Sequence, residues 1–106
     1  MRFNISESLL ERVRTAATRA KSQAYDDEIK TYINACLYDL DRLNILFDED
    51  DLEDEIVVAV ITYVKSKFGT TEASEKEKMA KTYEDLRQIL MTDKSHKKVR
   101  INPIRR

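Results

Sequence analysis

Ile56-Val57-Val58-Ala59-Val60-Ile61-Thr62-Tyr63-Val64-Lys65-Ser66-Lys67-Phe68-Gly69 is the most apolar run of the chain, and it admits two readings. Its β-branched residues suit a strand. Its length does not, since strands centre on about 5–6 residues. Ile56, Val57, Val60, Ile61, Val64 and Phe68 recur at intervals of three and four, which is helical spacing. Val58 and Ala59 widen that apolar face. Asp50 and Glu53 stand three apart ahead of the run, as a capping pair does. Gly69 is the only glycine in the chain, and it follows Phe68 where a left-handed C-cap is expected. The run therefore reads as a helix from about Leu52 to Phe68, central and the most buried of the molecule.

The flanking segments read as three further helices. One spans about Glu7 to Ala20, with Ser8 and Glu11 at capping-box spacing and Ser6 as a competing N-cap. Leu9, Val13, Ala16 and Ala20 form its stripe, with Leu10 and Ala17 alongside and Arg12, Arg14 and Arg19 facing elsewhere. A second spans about Asp27 to Leu43, capped by Asp26 or Asp27. Its stripe is Ile29, Ile33, Cys36 or Leu37, Leu40 and Leu43, flanked by Tyr32 and Tyr38. The last spans about Glu75 to Met91 behind the capping box Ser74-Glu75-Lys76-Glu77, with Met79, Ala80, Tyr83, Leu86 and Leu90 inward. The expected core is Ile33, Leu37, Leu40, Val57, Val60, Ile61, Val64, Phe68, Tyr83 and Leu86. Leu43-Asn44-Ile45-Leu46-Phe47 is too apolar for an ordinary surface loop. It either folds back on the core or meets a neighbour.

The chain ends differently. Residues 93–106 read Asp93-Lys94-Ser95-His96-Lys97-Lys98-Val99-Arg100-Ile101-Asn102-Pro103-Ile104-Arg105-Arg106. Six Lys/Arg stand there against one Asp, so with a formal net charge of -1 for the whole chain the remaining body is net -6. Val99 and Ile101 alternate with basic residues, as an extended strand would, and Pro103 ends any helix. The expected organisation is an all-α fold, a small four-helix bundle over residues 1–92, with a basic extended tail over residues 93–106.

Composition agrees and narrows the function. A chain of 106 residues is one domain's worth. It buries roughly 65% of its unfolded surface, enough to fold without staples. One Gly and one Pro exclude a collagen-like or linker chain and argue against an all-β fold rich in tight turns. Balanced charge argues against disorder. The longest apolar stretch, Ile56 to Ile61, is far short of the ~20 residues a membrane helix needs. The first seven residues lack the apolar stretch of a signal peptide. A soluble protein, not secreted by the usual route, is expected, with no membrane partner.

The inventory is poor in chemistry. There is no phosphate loop, dinucleotide fingerprint or HExxH. One cysteine, Cys36, and one histidine, His96, cannot build a zinc site or a disulfide. Cys36 lies on an apolar stripe and reads as a buried structural thiol. Asp48-Glu49-Asp50-Asp51-Leu52-Glu53-Asp54-Glu55 suggests calcium but fails as an EF-hand loop, because the fifth and sixth positions are Leu52 and Glu53. It reads instead as a cap and an acidic first turn for the following helix, or as a surface that repels nucleic acid. No enzyme, cofactor or metal is expected. The tail has three readings: a solvated terminus, a phosphate-binding arm, or a strand added to a protein partner.

The run Ile56-Val57-Val58-Ala59-Val60-Ile61-Thr62-Tyr63-Val64-Lys65-Ser66-Lys67-Phe68-Gly69 resembles the A-V-x-x-Y-V-K-x-x-F-G stretch of phage head–tail connector (adaptor, or DNA-packaging) proteins. Lys81-Thr82-Tyr83-Glu84-Asp85-Leu86-Arg87 resembles that family's K-x-Y-E-x-L-K/R helix. Glu28-Ile29-Lys30-Thr31-Tyr32-Ile33-Asn34-Ala35-Cys36 is similar to its L-x-x-x-I-x-A-A helix. The resemblance covers roughly Leu9 to Met91. The first helix carries more charge and alanine than the family pattern, and the tail matches no family motif. The resemblance implies a structural adaptor in the virion, at the head–tail junction, present in the host cytoplasm during assembly. It implies a homo-oligomeric ring of about twelve subunits beneath the phage portal protein, with a stopper or tail-completion protein attached below. DNA would pass through without sequence-specific binding. The tail residues Lys97, Lys98, Val99, Arg100, Ile101, Ile104, Arg105 and Arg106 are the expected partner-docking strand. The alternative is a small helical nucleic-acid-binding or antitoxin-like regulatory protein with the same tail on phosphates.

Overall fold

A computed structural model describes residues 3–18, 23–68 and 72–92. Four helices follow in chain order: α1 (Glu7–Thr18), α2 (Asp26–Arg42), α3 (Asp54–Lys67) and α4 (Ala73–Thr92). The protein is all-α, and the described residues contain no strand. The β-branched run Ile56–Val64 is helical because its length and spacing let one broad face be buried, which overrides strand propensity.

α3 is the axis of the fold and packs against all three other helices, while α1 also packs on α2. Tyr25, just before α2, meets Phe68, just after α3, with ring centroids 5.3 Å apart, so these two helices are antiparallel. Lys65 meets Glu75 and Tyr63 meets Tyr83, so α4 runs back along α3. α2 and α4 thus run the same way along α3.

The core draws on Leu9, Leu10 and Val13 of α1, and on Ile29, Ile33, Cys36, Leu37 and Leu40 of α2. From α3 and its end come Ile56, Val57, Ala59, Val60, Val64 and Phe68. α4 adds only Tyr83 and Leu90. Fully burying a large apolar side chain is worth about 1.5–3 kcal/mol; α4 has two such anchors, with Leu86 and Met91 packed at the core's edge, and so buries less apolar surface than α2 or α3 while lying along α3. Ile61 and Leu86 are half-buried at the edge of the core rather than inside it. Val58 is exposed, because the side of α3 that carries it is left uncovered.

Several local expectations are corrected. Ser6, not Ser8, caps α1: its Oγ accepts from the Leu9 amide at 3.1 Å. Neither Asp26 nor Asp27 caps α2. Tyr25 holds that position without a side-chain bond, and the Asp26 carboxylate turns instead to Arg14. The Asp50–Glu53 pair does not form, and α3 starts at Asp54. The Asp48 side chain accepts from the Asp50 amide within a local turn, and Asp50 accepts from Asn4. α4 starts at Ala73, so Ser74 lies inside its first turn. α3 ends with Phe68 in extended backbone (φ -63°, ψ 135°), and Gly69 lies outside the described residues.

The connection after α2 folds back on the core through a helix-ending motif. Asn44 takes a left-handed conformation, φ 62°. The Asn44 amide donates to the Asp41 carbonyl at 3.0 Å, and the Ile45 amide to the Leu40 carbonyl at 3.1 Å. This is the Schellman pattern, with Asn in the place glycine usually takes. It aims Ile45 inward, fully buried, and leaves Leu46 half-exposed. The acidic spacer then reaches back to the start of the chain. Glu49 accepts from the Asn4 amide, and the Phe3 amide donates to Asn34. Phe3 is buried between Tyr38 and Phe47.

Candidate functional site

The most structured feature of the surface is a cleft of about 350 Å³ between α2 and α4, floored by Tyr63 of α3. It exists because Ala35 of α2 and Ala80 of α4 face the cleft with little side chain. Where the two helices do meet, they meet through polar groups. The Asp39 carboxylate on α2 accepts from Tyr83 Oη at 2.8 Å and from Arg87 Nε at 2.8 Å, both on α4. It also accepts from Arg42 Nη2 at 2.8 Å. Beneath this network the Cys36 thiol donates to Tyr83 Oη at 3.6 Å.

The electrostatics follow from burial and partners. Burial alone would raise the Asp39 pKa, but the bonds from Arg87 and Tyr83 outweigh it and hold the carboxyl below its ordinary value. The Arg87 guanidinium is raised by the same bond to Asp39. Burial pushes the Tyr83 hydroxyl well above the usual phenol range and the Cys36 thiol up to about 12. Both stay protonated at neutral pH, so Cys36 is a packing residue, fully buried and unfit as a nucleophile. The arrangement is a tether: one carboxylate holds two helices that share little apolar contact.

A second tether joins α1 to the start of α2. Arg14 Nε and Nη2 meet the two Asp26 oxygens at 2.9 and 3.0 Å. The hydrogen bond from Arg14 lowers the Asp26 pKa. Arg14 is buried, which corrects its expected place on an outward face. Neither tether was expected from the sequence. Asp39 and Arg87 lie 48 residues apart, and no local pattern marks them. Among the described residues, no group of His, Cys, Asp or Glu is placed to hold a metal ion.

The expected core residues Ile33, Leu37, Leu40, Val57, Val60, Val64, Phe68 and Tyr83 are brought together in one buried cluster, with Ile61 and Leu86 packed on its edge. The expected docking residues, Lys97 to Arg106, lie outside the described residues, as does His96. What the body offers to partners is therefore its rim. Arg42 and Lys67 line the cleft, and Tyr38, Leu46, Val58 and Ile89 are exposed apolar or aromatic side chains.

Residues 9–97 match the family model of phage connector proteins. The chain belongs to the phage connector protein family. The match takes in nearly all of α1 and the whole of α2, α3 and α4, so the family signature is the helical body itself. No curated protein sequence and no solved structure matches this connector. The family is structural rather than enzymatic. That suits a site in which the chemistry on view is tethering. Among the described residues of the connector, no helix is long and apolar enough to cross a membrane.

Proposed function

We propose that this connector forms a ring beneath the phage portal, joins the DNA-filled head to the tail, and lines the channel through which DNA passes. The observation that carries this reading is the family match across residues 9–97. The structure supports it in two ways. A ring needs two unlike faces on each subunit, related by rotation. The acidic segment around residues 48–55 and the cleft whose rim carries Arg42 and Lys67 are two unlike surfaces that suit this requirement. The net -6 of residues 1–92 would also keep passing DNA from adhering.

In this reading the head-side partner is the portal protein and the tail-side partner a stopper or tail-completion protein. The connector acts at the head–tail junction, after assembly in the host cytoplasm. The basic segment Lys97–Arg106 serves as the docking strand on the portal, where edge pairing would satisfy its backbone. Catalysis has no part in this role. Co-expression with the cognate portal, followed by size-exclusion chromatography and mass photometry, tests the proposal. The expected result is a portal particle heavier by a fixed number of connector copies, about twelve. A portal of unchanged mass, together with absence of the chain from purified virions, would reject it.

A further inference from the structure

We infer that the acidic spacer, residues 48–55, of one copy docks at the α2–α4 cleft of the next, and that this head-to-tail contact closes the ring. The inference rests on the connector reading above and names the two surfaces that reading requires.

The spacer offers seven carboxylates in eight residues and no cation. Asp51 and Asp54 are exposed, and among the described residues neither carboxylate has a side-chain partner, although the Asp51 amide donates to the Asp48 carbonyl. Asp48, Glu49 and Asp50 are bound into the turn and to Asn4, which fixes the backbone from which the free acids project. The segment is thus a preorganised anionic edge rather than a loose loop.

The cleft offers the complement. Arg87 is committed to Asp39 and Glu84. Arg42 and Lys67 are not committed in that way. Arg42 uses one nitrogen on Asp39 and is 73% exposed along its side chain. Lys67 lies 5.5 Å over the Tyr63 ring and forms no ion pair among the described residues. The lining sets Arg42, Lys67 and Arg87 against Asp39 and Glu84, so the cleft presents one positive charge in excess to an incoming carboxylate. The walls are Ala35 and Ala80, which leave room for a chain segment, and Tyr38 and Tyr63 give it aromatic surface to lie on. The spacer precedes α3, whereas Lys67 closes α3's other end; Arg42 ends α2, six residues before Asp48, so it is Lys67 that sets the cleft apart from the spacer. A pairing of this head-to-tail kind between copies builds a ring when the rotation relating them closes.

The test is a charge-exchange cycle on the full chain, read as copies loaded per portal particle by mass photometry. Circular dichroism melting checks that each variant folds. Arg42→Glu with Lys67→Glu is expected to reduce loading roughly tenfold or more at limiting concentration. Should Arg42→Glu disturb Asp39 and unfold the chain, Lys67→Glu alone carries the test. Asp51→Lys with Asp54→Lys is expected to lose loading similarly, and combining the reversed spacer with the reversed cleft should recover part of it. If all variants load like the wild type, the inference fails while the connector reading stands. If the wild type does not load, both fail. If cleft reversal abolishes only retention of duplex DNA, the rim contacts phosphates and the inference is overturned.

Discussion

Replacing Asp39 by alanine isolates what holds α4 to α2. In the wild type this carboxylate accepts from Tyr83 and Arg87 of α4 and from Arg42. A hydrogen bond to a charged group contributes about 1.5–3 kcal/mol. The Tyr83 bond should sit inside that range, because the residue is only 6% exposed and its hydroxyl would lose a charged acceptor. The Arg87 bond needs discounting, since its side chain is 22% exposed and water can partly replace the carboxylate. The solvated Arg42 pair adds about 0–1 kcal/mol. The loss should total about 3 kcal/mol, within the range for breaking a largely buried pair. Urea denaturation followed by far-ultraviolet circular dichroism should show a lower midpoint with unchanged slope. Thermal melting should fall on the order of 15 °C, at roughly 4–8 °C per kcal/mol for a domain of this size. A cycle with Tyr83→Phe should reveal coupling of about 0.5–3 kcal/mol. Acid adds a sign test. The folded Asp39 pKa is depressed, so its stabilisation is present above the unfolded value of about 3.9 and is lost as pH falls through the lower folded value. The wild type should therefore lose more stability on acidification than Asp39→Ala. A variant within about 0.5 kcal/mol of wild type, additive with Tyr83→Phe, would refute the tether.

Four further outcomes are expected. Val60→Asp should prevent folding, because Val60 is fully buried and an unpaired carboxylate there costs several kcal/mol against a total of about 5–15; an unchanged helical spectrum and melt would show the core misplaced. Cys36, buried and with its pKa pushed up to about 12, should resist a thiol reagent in the native protein and react only in denaturant; full native labelling would contradict its burial. Millimolar calcium should leave the melting temperature unchanged, whereas a filled site at a hundredfold excess over its dissociation constant would add about 2.7 kcal/mol. Deleting Lys97–Arg106 should leave melting nearly unchanged yet weaken loading onto the portal, and reversing Arg100, Arg105 and Arg106 should slow association chiefly; full affinity without the tail would make it a plain terminus.

The helices were legible because their signal is local. Spacing at three and four marked α3 despite its β-branched residues, and the same spacing marked α2. Their ends were less legible, because a capping residue is read by type while its bond is decided by competition. Asp26 has the chemistry of a cap, but Arg14 offers it a stronger, charged partner. Asp48 and Asp50 likewise satisfy the spacer and Asn4 instead of α3. Asn44 did carry a readable signal, since asparagine after a helix followed by an apolar residue suits a Schellman end. The α2–α4 cleft had no such signal. It depends on two alanines and a carboxylate that meet only when α4 has folded back along α3.

Cryo-electron microscopy of the connector bound to its cognate portal tests the central claim most directly. A closed ring of about twelve four-helix bodies on the portal axis is expected, with residues 48–55 of each against the α2–α4 cleft of its neighbour. A portal that carries no connector density, or scattered single copies without a ring, would contradict it.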